Sequence, residues 1–538
     1  MPTVPSVPSR PSPPSTLRVL FVLYYPGYLR YFDSVIHELA DRGHEVVVSF
    51  SKEGKQSEGL QALPHPSGRV MKASRVPRRQ DTWQPLAMLL RSLADYVRYL
   101  HPRYDEAEHL RRRHEKFLPR GFGLLRWLPT LDPRIVRALH RLFDVLERAI
   151  PSSLQLERFV GEHGPDVLVV SPLLADLGNQ TDLVKSAQAL GVPAVLGVGS
   201  WDHLTSKGLL KASPERTIVW NEIQRAEAGE YHYVPADRVV VTGAQPFDRW
   251  FGREPTRDRD AFCRRVGLPA EGPFVLFLGS TASISAPQAE LDFVREWIAA
   301  LRSSHQPAVR EASVLVRPHP YNPGLWADAD LAGLGAVAVW PRGGANPVDE
   351  ENRTDYFDSM YHAAATVGIN TSAMIESAIV GRPVLTVRAP EFTETQDGTV
   401  HFHYLLPEHG GFLRVAGSID EHVRQLGDVL ADPEAASEEL SRFVSSFVRP
   451  NGLDLPSTPL VADAIEDAAA IAVDGDGAGP STALRGVLRV TTLLLSLTGE
   501  SDRRRRAARR ELLGAVGLGG RAWASSRRRP RRRKLPAL

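Results

Sequence analysis

DSMYHAAATVGINTSAMIESAIVGRPVLTV, residues 358–387, decides the fold. It reads as the end of a helix, an apolar strand over 366–369, a tight polar turn, a second helix and a second strand over Val384–Val387. A strand that leads through a helix to another strand is the unit of a parallel sheet. Asn370, Thr371 and Ser372 stand at the junction of strand and helix. The first N–H groups of a helix have no partner inside it, so that end attracts anions. Hydroxyl and amide side chains beside it add donors for phosphate oxygens, and Glu376, one turn on, is placed to accept from a sugar hydroxyl. The segment reads as a cradle for a nucleotide diphosphate. Plainer readings stand beside this one: Ser and Thr cap helices, for about 1 kcal/mol, and an acid in the first turn complements the helix dipole. Glu376 is not the capping-box partner of Ser372, because that position is Ile375.

Working outward, the same alternation recurs. LRVLFVLY (17–24) has the length of a buried strand, and Leu29, Phe32, Val35, Ile36 and Leu39 follow at helical spacing. Gly43 ends that helix and 46–50 reads as the next strand. Further strands are expected over 166–171, 193–198, 217–220 and 238–243, then 273–279, 313–316 and 336–340, with helices between them. Residues 70–150 interrupt the pattern with helical, basic, aromatic sequence. The fold class is therefore α/β: two Rossmann-like, doubly wound parallel-sheet domains facing across a cleft, with a helical insertion in the first. The expected boundaries are a disordered leader (1–16), an N-terminal domain (17–250, insertion 70–150), a C-terminal domain (251–470), and a linker and basic tail (471–538).

Composition narrows the class. At 538 residues the chain exceeds one ordinary core. The single cysteine, Cys263, excludes an intramolecular disulfide and any zinc site of several thiolates, and suits a reducing cytosol. No apolar run has the length that spans a bilayer, and MPTVPSVPSRPSPPS has no signal-peptide core. The net charge of +2 hides an asymmetry: from Glu500 onward 14 Lys and Arg face 3 Asp and Glu, whereas the preceding residues carry 51 basic and 60 acidic side chains.

In open parallel sheets ligands collect at the carboxyl ends of strands. Four polar turns occupy such ends in the second half: Gly279-Ser280-Thr281, Arg317-Pro318-His319-Pro320, Arg342-Gly343-Gly344, and Asn370-Thr371-Ser372 with Glu376. In the first half Gly27 and Tyr28 lie in the turn after the first strand, and Asp202 and His203 end another strand with Lys207 nearby. Asp or His can remove the proton of an acceptor hydroxyl; the alternative is a hydrogen-bonded loop that holds the turn. No metal ligand set is proposed: Asp328 and Asp330 lie outside the strand-end cluster.

With VVVTGAQPFD as a hinge, RPHPYNP as a rigid turn and VGINTSAMIESAIVGRPV as the nucleotide segment, residues 17–470 resemble the GT-B fold glycosyltransferases. The nearest branches are bacterial enzymes of surface-polysaccharide assembly, UDP-N-acetylglucosamine 2-epimerases and CDP-glycerol glycerophosphotransferases. The resemblance implies a nucleotide donor in the C-terminal domain and an acceptor in the N-terminal one. It implies phosphate contacts from Gly279 to Thr281 and from Asn370 to Ser372, ribose on Glu376, and His319 facing the diphosphate or sugar. A helix start and Arg317 would neutralise the leaving diphosphate without a metal or cofactor. Departures are present. Tyr25 and Tyr28 stand where many inverting members place a histidine, Asn-Thr-Ser replaces a glycine-rich turn, and TASISAPQAE lacks the arginine-rich motif of the 2-epimerases.

The expectation is a cytoplasmic, metal-independent glycosyltransferase with catalytic candidates Asp202, His203 and His319. Its partners would be a nucleotide-sugar donor and a glycan or lipid-linked acceptor. Glycerophosphate transfer and epimerisation remain as alternatives on the same fold, and a non-catalytic scaffold as one of another class. The basic tail suits an anionic membrane surface and a peripheral location. Unselective contact with nucleic acid is the less favoured reading, and a solvated tail is the third.

Overall fold

A computed structural model describes residues 16–52, 57–119, 121–174, 179–320, 323–331, 333–473 and 482–498. The leader, most of the linker, Tyr321 and Asn322, and the arginine clusters of the tail lie outside the described residues.

The first sheet contains β1 (Arg18–Leu23), β2 (Glu45–Phe50), β3 (Val70–Lys72), β4 (Val167–Ser171), β5 (Ala194–Gly197), β6 (Arg216–Val219) and β7 (Val239–Val241) in the order β3-β2-β1-β4-β5-β6-β7. The second contains β8 (Phe274–Leu278), β9 (Ser313–Arg317), β10 (Val337–Val339), β11 (Ala365–Gly368), β12 (Val384–Val387) and β13 (Arg414–Ala416) in the order β10-β9-β8-β11-β12-β13. Every pairing is parallel. Helices cover both faces of such sheets, which is why the strands are apolar throughout rather than alternating: Val19–Leu23 is buried without a break. In both sheets the strand order reverses beside the first strand, at β1/β4 and β8/β11, where a crevice opens at the carboxyl ends. Two doubly wound domains across a cleft are the GT-B arrangement.

The segment that opened the reading folds as expected, with a helix over Glu350–Tyr361, β11, a turn, a helix over Ala373–Ile379 and β12. The first helix, Leu29–Asp41, buries Leu29, Phe32, Val35, Ile36 and Leu39, and Gly43 at φ +94° turns the chain into β2. The strands not foreseen, β3 and β13, are edge strands of three residues; β3 has an exposed face, too short for a period to register.

Two boundaries differ from the expectation. β3 pairs with β2, so the inserted helices begin later than residue 70, over Gln84–Arg98, Glu108–Glu115 and Pro133–Ala149. The helix Ser457–Ala469 is not part of the second domain. It returns to the first, where Val461, Ala462, Ile465 and Ala468 join the core of Val19, Phe21 and Phe32. The crossing is fixed by Asp248, which accepts from the Ser457 and Thr458 N–H groups (3.0 and 2.6 Å) and from Arg449 (2.9 Å).

The insertion is tied to the first domain by a buried ion network. Arg91 donates to Glu147 (2.6 Å) and Asp182 (2.8 Å), and Arg79 also donates to Asp182 (2.8 Å). The helix Thr482–Thr498 packs on the same helices through Leu488, and Thr492 donates to the Thr82 carbonyl (2.6 Å). Among the described residues no helix is long and apolar enough to cross a membrane.

Candidate functional site

A cleft with an open space of about 1200 Å³ lies between the domains, over the carboxyl ends of β8, β9 and β11. Its lining is cationic: Arg30 comes from the first domain, Arg249 and Arg253 from the crossing, and Arg317 and Arg353 from the second. Arg249 and Arg353 share one carboxylate, Asp33, and Arg253 pairs with Glu350 (2.8 Å).

Arg317, the last residue of β9, is the centre of this site. It is 5% exposed, and its guanidinium lies over the Tyr356 ring at 4.7 Å. Nη1 and Nη2 have no hydrogen-bond partner among the described residues. Burial pulls its pKa down to about 10, against the opposing pull of Tyr356, Asp355 and Glu376. A buried guanidinium with two idle nitrogens is costly, and an anionic ligand would relieve it.

Behind it, Tyr356 donates its hydroxyl to Glu376 Oε2. Burial pushes the Glu376 carboxyl up to about 7, although the Tyr356 hydrogen bond and the cleft arginines oppose the shift. Tyr356 is held by Trp250, whose ring meets it edge-on at 5.4 Å. His319 also lines the cleft, and burial, with Arg30 acting in the same direction, lowers its pKa to about 4, so it is neutral at pH 7.

The structure brings together Arg317, His319, Thr371, Ser372 and Glu376, with Gly279 at the edge. The role of Gly279 differs from the expected one. Its N–H donates to the Arg317 carbonyl (2.9 Å), and a Cβ there would lie 2.7 Å from the His319 nitrogen. The glycine lets the 317–319 turn approach β8 rather than presenting an amide to phosphate. Ser280 is fully buried and its N–H donates to Glu290 Oε2 (2.7 Å). Thr281 hydrogen-bonds Ser283 (2.7 Å) outside the cleft lining, and the Asn370 amide donates inward to the Thr395 carbonyl (2.6 Å). None of these three lines the cleft. Arg342 does not line the cleft, whereas Gly344, at φ +64°, packs on His319 and Pro320 and supports their turn.

Asp202 and His203 sit in the wall behind the cleft. Asp202 accepts from Ser200 (2.6 Å) and Ser206 (2.7 Å), and Lys207 is 3.6 Å away. Burial alone would push its carboxyl up, but Lys207, with His203, His401 and Ser200, holds it well below the usual range. Such a carboxylate is a weak base. His203 is buried against Tyr28 (ring centroids 5.9 Å apart), and burial lowers its pKa to about 3. Tyr28 faces a separate cavity in the first domain, and Gly27 adjoins it in the turn Pro26–Tyr28. Neither lines the cleft.

Four arginines and Tyr356 were missed from sequence. A signal existed for two of them: Arg353 and Tyr356 are three apart in ENRTDYF and so share one face of the helix Glu350–Tyr361. Arg30 and Arg249 carry none, since a lone arginine beside a turn is ordinary.

No family model matches the chain, and no curated protein does. Among solved structures it is similar to UDP-GlcNAc 2-epimerase from Neisseria meningitidis bound to UDP-GlcNAc, at 12% identity over 84% of this chain and 100% of that one, TM-score 0.46. It is also similar to S. aureus MnaA with UDP, at 11% identity over 84% and 96%, TM-score 0.48. WaaG, a glycosyltransferase involved in lipopolysaccharide biosynthesis, is similar at 14% identity over 83% and 99%, TM-score 0.41.

Proposed function

We propose that the cleft binds a nucleotide-diphosphate sugar and that the protein transfers the sugar to an acceptor hydroxyl. The observation that carries this reading is Arg317, a buried guanidinium with two nitrogens that have no partner among the described residues, on the floor of an arginine-lined cleft at the strand carboxyl ends. In the transfer the acceptor oxygen bonds to the anomeric carbon as the bond from that carbon to the diphosphate oxygen breaks. The nucleoside diphosphate leaves with the bonding pair, and the acceptor hydroxyl loses its proton to a base. Arg317, with Arg30 and Arg249 nearby, stabilises the charge that develops on the diphosphate, so the step needs no metal. Glu376 accepts from the ribose, in exchange for the Tyr356 hydroxyl. Of the three proton-transfer candidates His319 is the one on the cleft; its neutral imidazole can accept a hydrogen bond from the acceptor hydroxyl, and the anionic donor, once bound, raises its basicity. Two domains closing on donor and acceptor reduce the entropic part of the barrier.

A cytoplasmic protein held at an anionic membrane surface, serving cell-surface glycan or glycolipid synthesis, belongs to the same proposal. Leu124 and Trp127 on the insertion, 80% and 74% exposed, support the surface contact.

Titration of the full chain with UDP, GDP, CDP and dTDP, followed by incubation of their sugars with and without acceptor, tests the reading. Free nucleotide that appears only with acceptor supports transfer. A changed sugar without acceptor would establish epimerisation instead, and release of CMP from CDP-glycerol would establish glycerophosphate transfer. If none of the nucleotides binds, the reading fails.

A further inference from the structure

The first domain holds a second cavity, with an open space of about 1580 Å³, at the carboxyl ends of β1, β2, β4 and β5. Among the described residues six cations line it: Lys52, Arg78, Arg79, Arg91, Arg113 and Lys207. Two acids do, Asp95 and Asp182; Asp182 compensates two of the six cations, and Lys207 lies 3.6 Å from Asp202. Asp182 accepts from Arg79 and Arg91, each at 2.8 Å, and Asp95 accepts from the Leu209 N–H (2.6 Å) and pairs with Lys211 (2.7 Å).

Among the described residues the uncompensated charge is therefore that of Arg78 and Arg113. Arg78 and Arg113 are exposed at the rim and have no ion pair or hydrogen bond among the described residues. Arg79 is more telling. Its side chain is 2% exposed, three of its bonds go to Asp81, the Pro151 carbonyl and Asp182, and its Nη2 has no partner among the described residues. A buried guanidinium N–H without an acceptor is a standing cost, and like charges around one space repel. An anion in the cavity offsets the repulsion, and one within reach of Arg79 Nη2 also supplies its missing acceptor.

The remaining wall is aromatic. Tyr24, Tyr25 and Tyr28 line the cavity and pack edge to face or tilted, with centroids 5.0 to 6.0 Å apart, a surface on which the apolar face of a sugar ring can rest. The cavity is close to the cleft. Tyr28 lines the cavity, Tyr31 lines the cleft, and their rings touch at 5.4 Å. Asp202 joins the two sides as well, accepting from Ser200 on the cleft and Ser206 on the cavity.

We infer that this second cavity is a binding site for an anionic sugar, one that carries a phosphate or a carboxylate, held by Arg78, Arg79 and Arg113 against the tyrosine wall. Naming that ligand the acceptor rests on the transferase reading; its binding does not.

The test uses the full chain and isothermal titration with glucose 6-phosphate, glucuronate and uncharged glucose. Either charged probe should bind saturably, and glucose at least about tenfold more weakly, because charge-assisted hydrogen bonds dominate. The phosphate and carboxylate arms tell which group is preferred. Arg78→Glu with Arg113→Glu should weaken the charged probe at least about tenfold, and the milder pair Arg78→Gln with Arg113→Gln should do so by a smaller factor. Both pairs should leave nucleotide affinity within about twofold, since neither side chain lines the cleft or has an ion pair among the described residues. Arg317→Met should leave sugar binding unchanged. The inference is overturned if neither charged probe binds, if glucose binds as well as they do, or if Arg317→Met rather than the Arg78 and Arg113 changes abolishes binding. Charged-probe binding without any nucleotide binding would instead defeat the transferase reading and leave the cavity assignment standing.

Discussion

Replacing Arg317 by Met should move stability and nucleotide affinity in opposite directions. Burial pulls the Arg317 guanidinium from the usual arginine range down to about 10. That fall corresponds to about 3 kcal/mol of penalty on the charged form within the fold. Methionine removes the penalty, fills similar volume and keeps a contact with the Tyr356 ring. The lost cation–π contact gives back about 1 kcal/mol. The variant should therefore be more stable by about 2 kcal/mol, a rise of a few degrees in the melting temperature of its domain. Binding responds the other way. A charge-assisted hydrogen bond to phosphate contributes about 1.5 to 3 kcal/mol, so the dissociation constant should rise about 10- to 100-fold. Scanning calorimetry of the empty chain and titration with the nucleoside diphosphate that binds wild type best read the two effects separately. A variant that melts lower and binds nucleotide as wild type does would show Arg317 to be a structural cation, and the site assignment would fall with it.

Glu290, fully buried, has its carboxyl pushed up by burial to about 7, so the folded state holds its proton more tightly than the unfolded chain does. Its contribution to stability is present below about pH 4.5 and lost as pH rises through about 7, and Glu290→Gln should remove up to about 3 kcal/mol of that loss. Urea midpoints of both proteins at about pH 5 and about pH 8 should therefore diverge in the variant's favour with pH, and parallel curves would contradict the assignment. Arg91→Ala leaves Glu147 and Asp182 short of their main partner and should cost about 3 to 5 kcal/mol by urea unfolding; a cost below about 1 kcal/mol would mean Lys185 and Arg79 suffice. Removing residues 482–538 uncovers Trp83 and Leu86 and should speed hydrogen exchange along Gln84–Arg98, with cleft nucleotide affinity kept within about twofold. Loss of nucleotide binding in that truncation would point to a scaffold organised by the tail.

The sequence by itself determined the architecture. Buried parallel strands must be apolar along their whole length, and the helices that cover them must carry one apolar stripe, so VLFVL, the Leu29–Leu39 spacing and residues 358–387 leave little freedom. It also placed Arg317, His319, Thr371, Ser372 and Glu376 at strand ends, because a parallel sheet delivers every such end to one edge. Only the tertiary structure decided which strand-end residues face the cleft. Ser280 and Asn370 carry the same polar groups as their neighbours, yet hydrogen bonds to Glu290 and the Thr395 carbonyl turn them inward. The return of Ser457–Ala469 to the first domain and the gathering of Arg30, Arg249 and Arg353 join residues hundreds of positions apart. Nothing local in a chain records contacts of that range, since they exist only once both sheets have closed and the crossing segment has set one against the other.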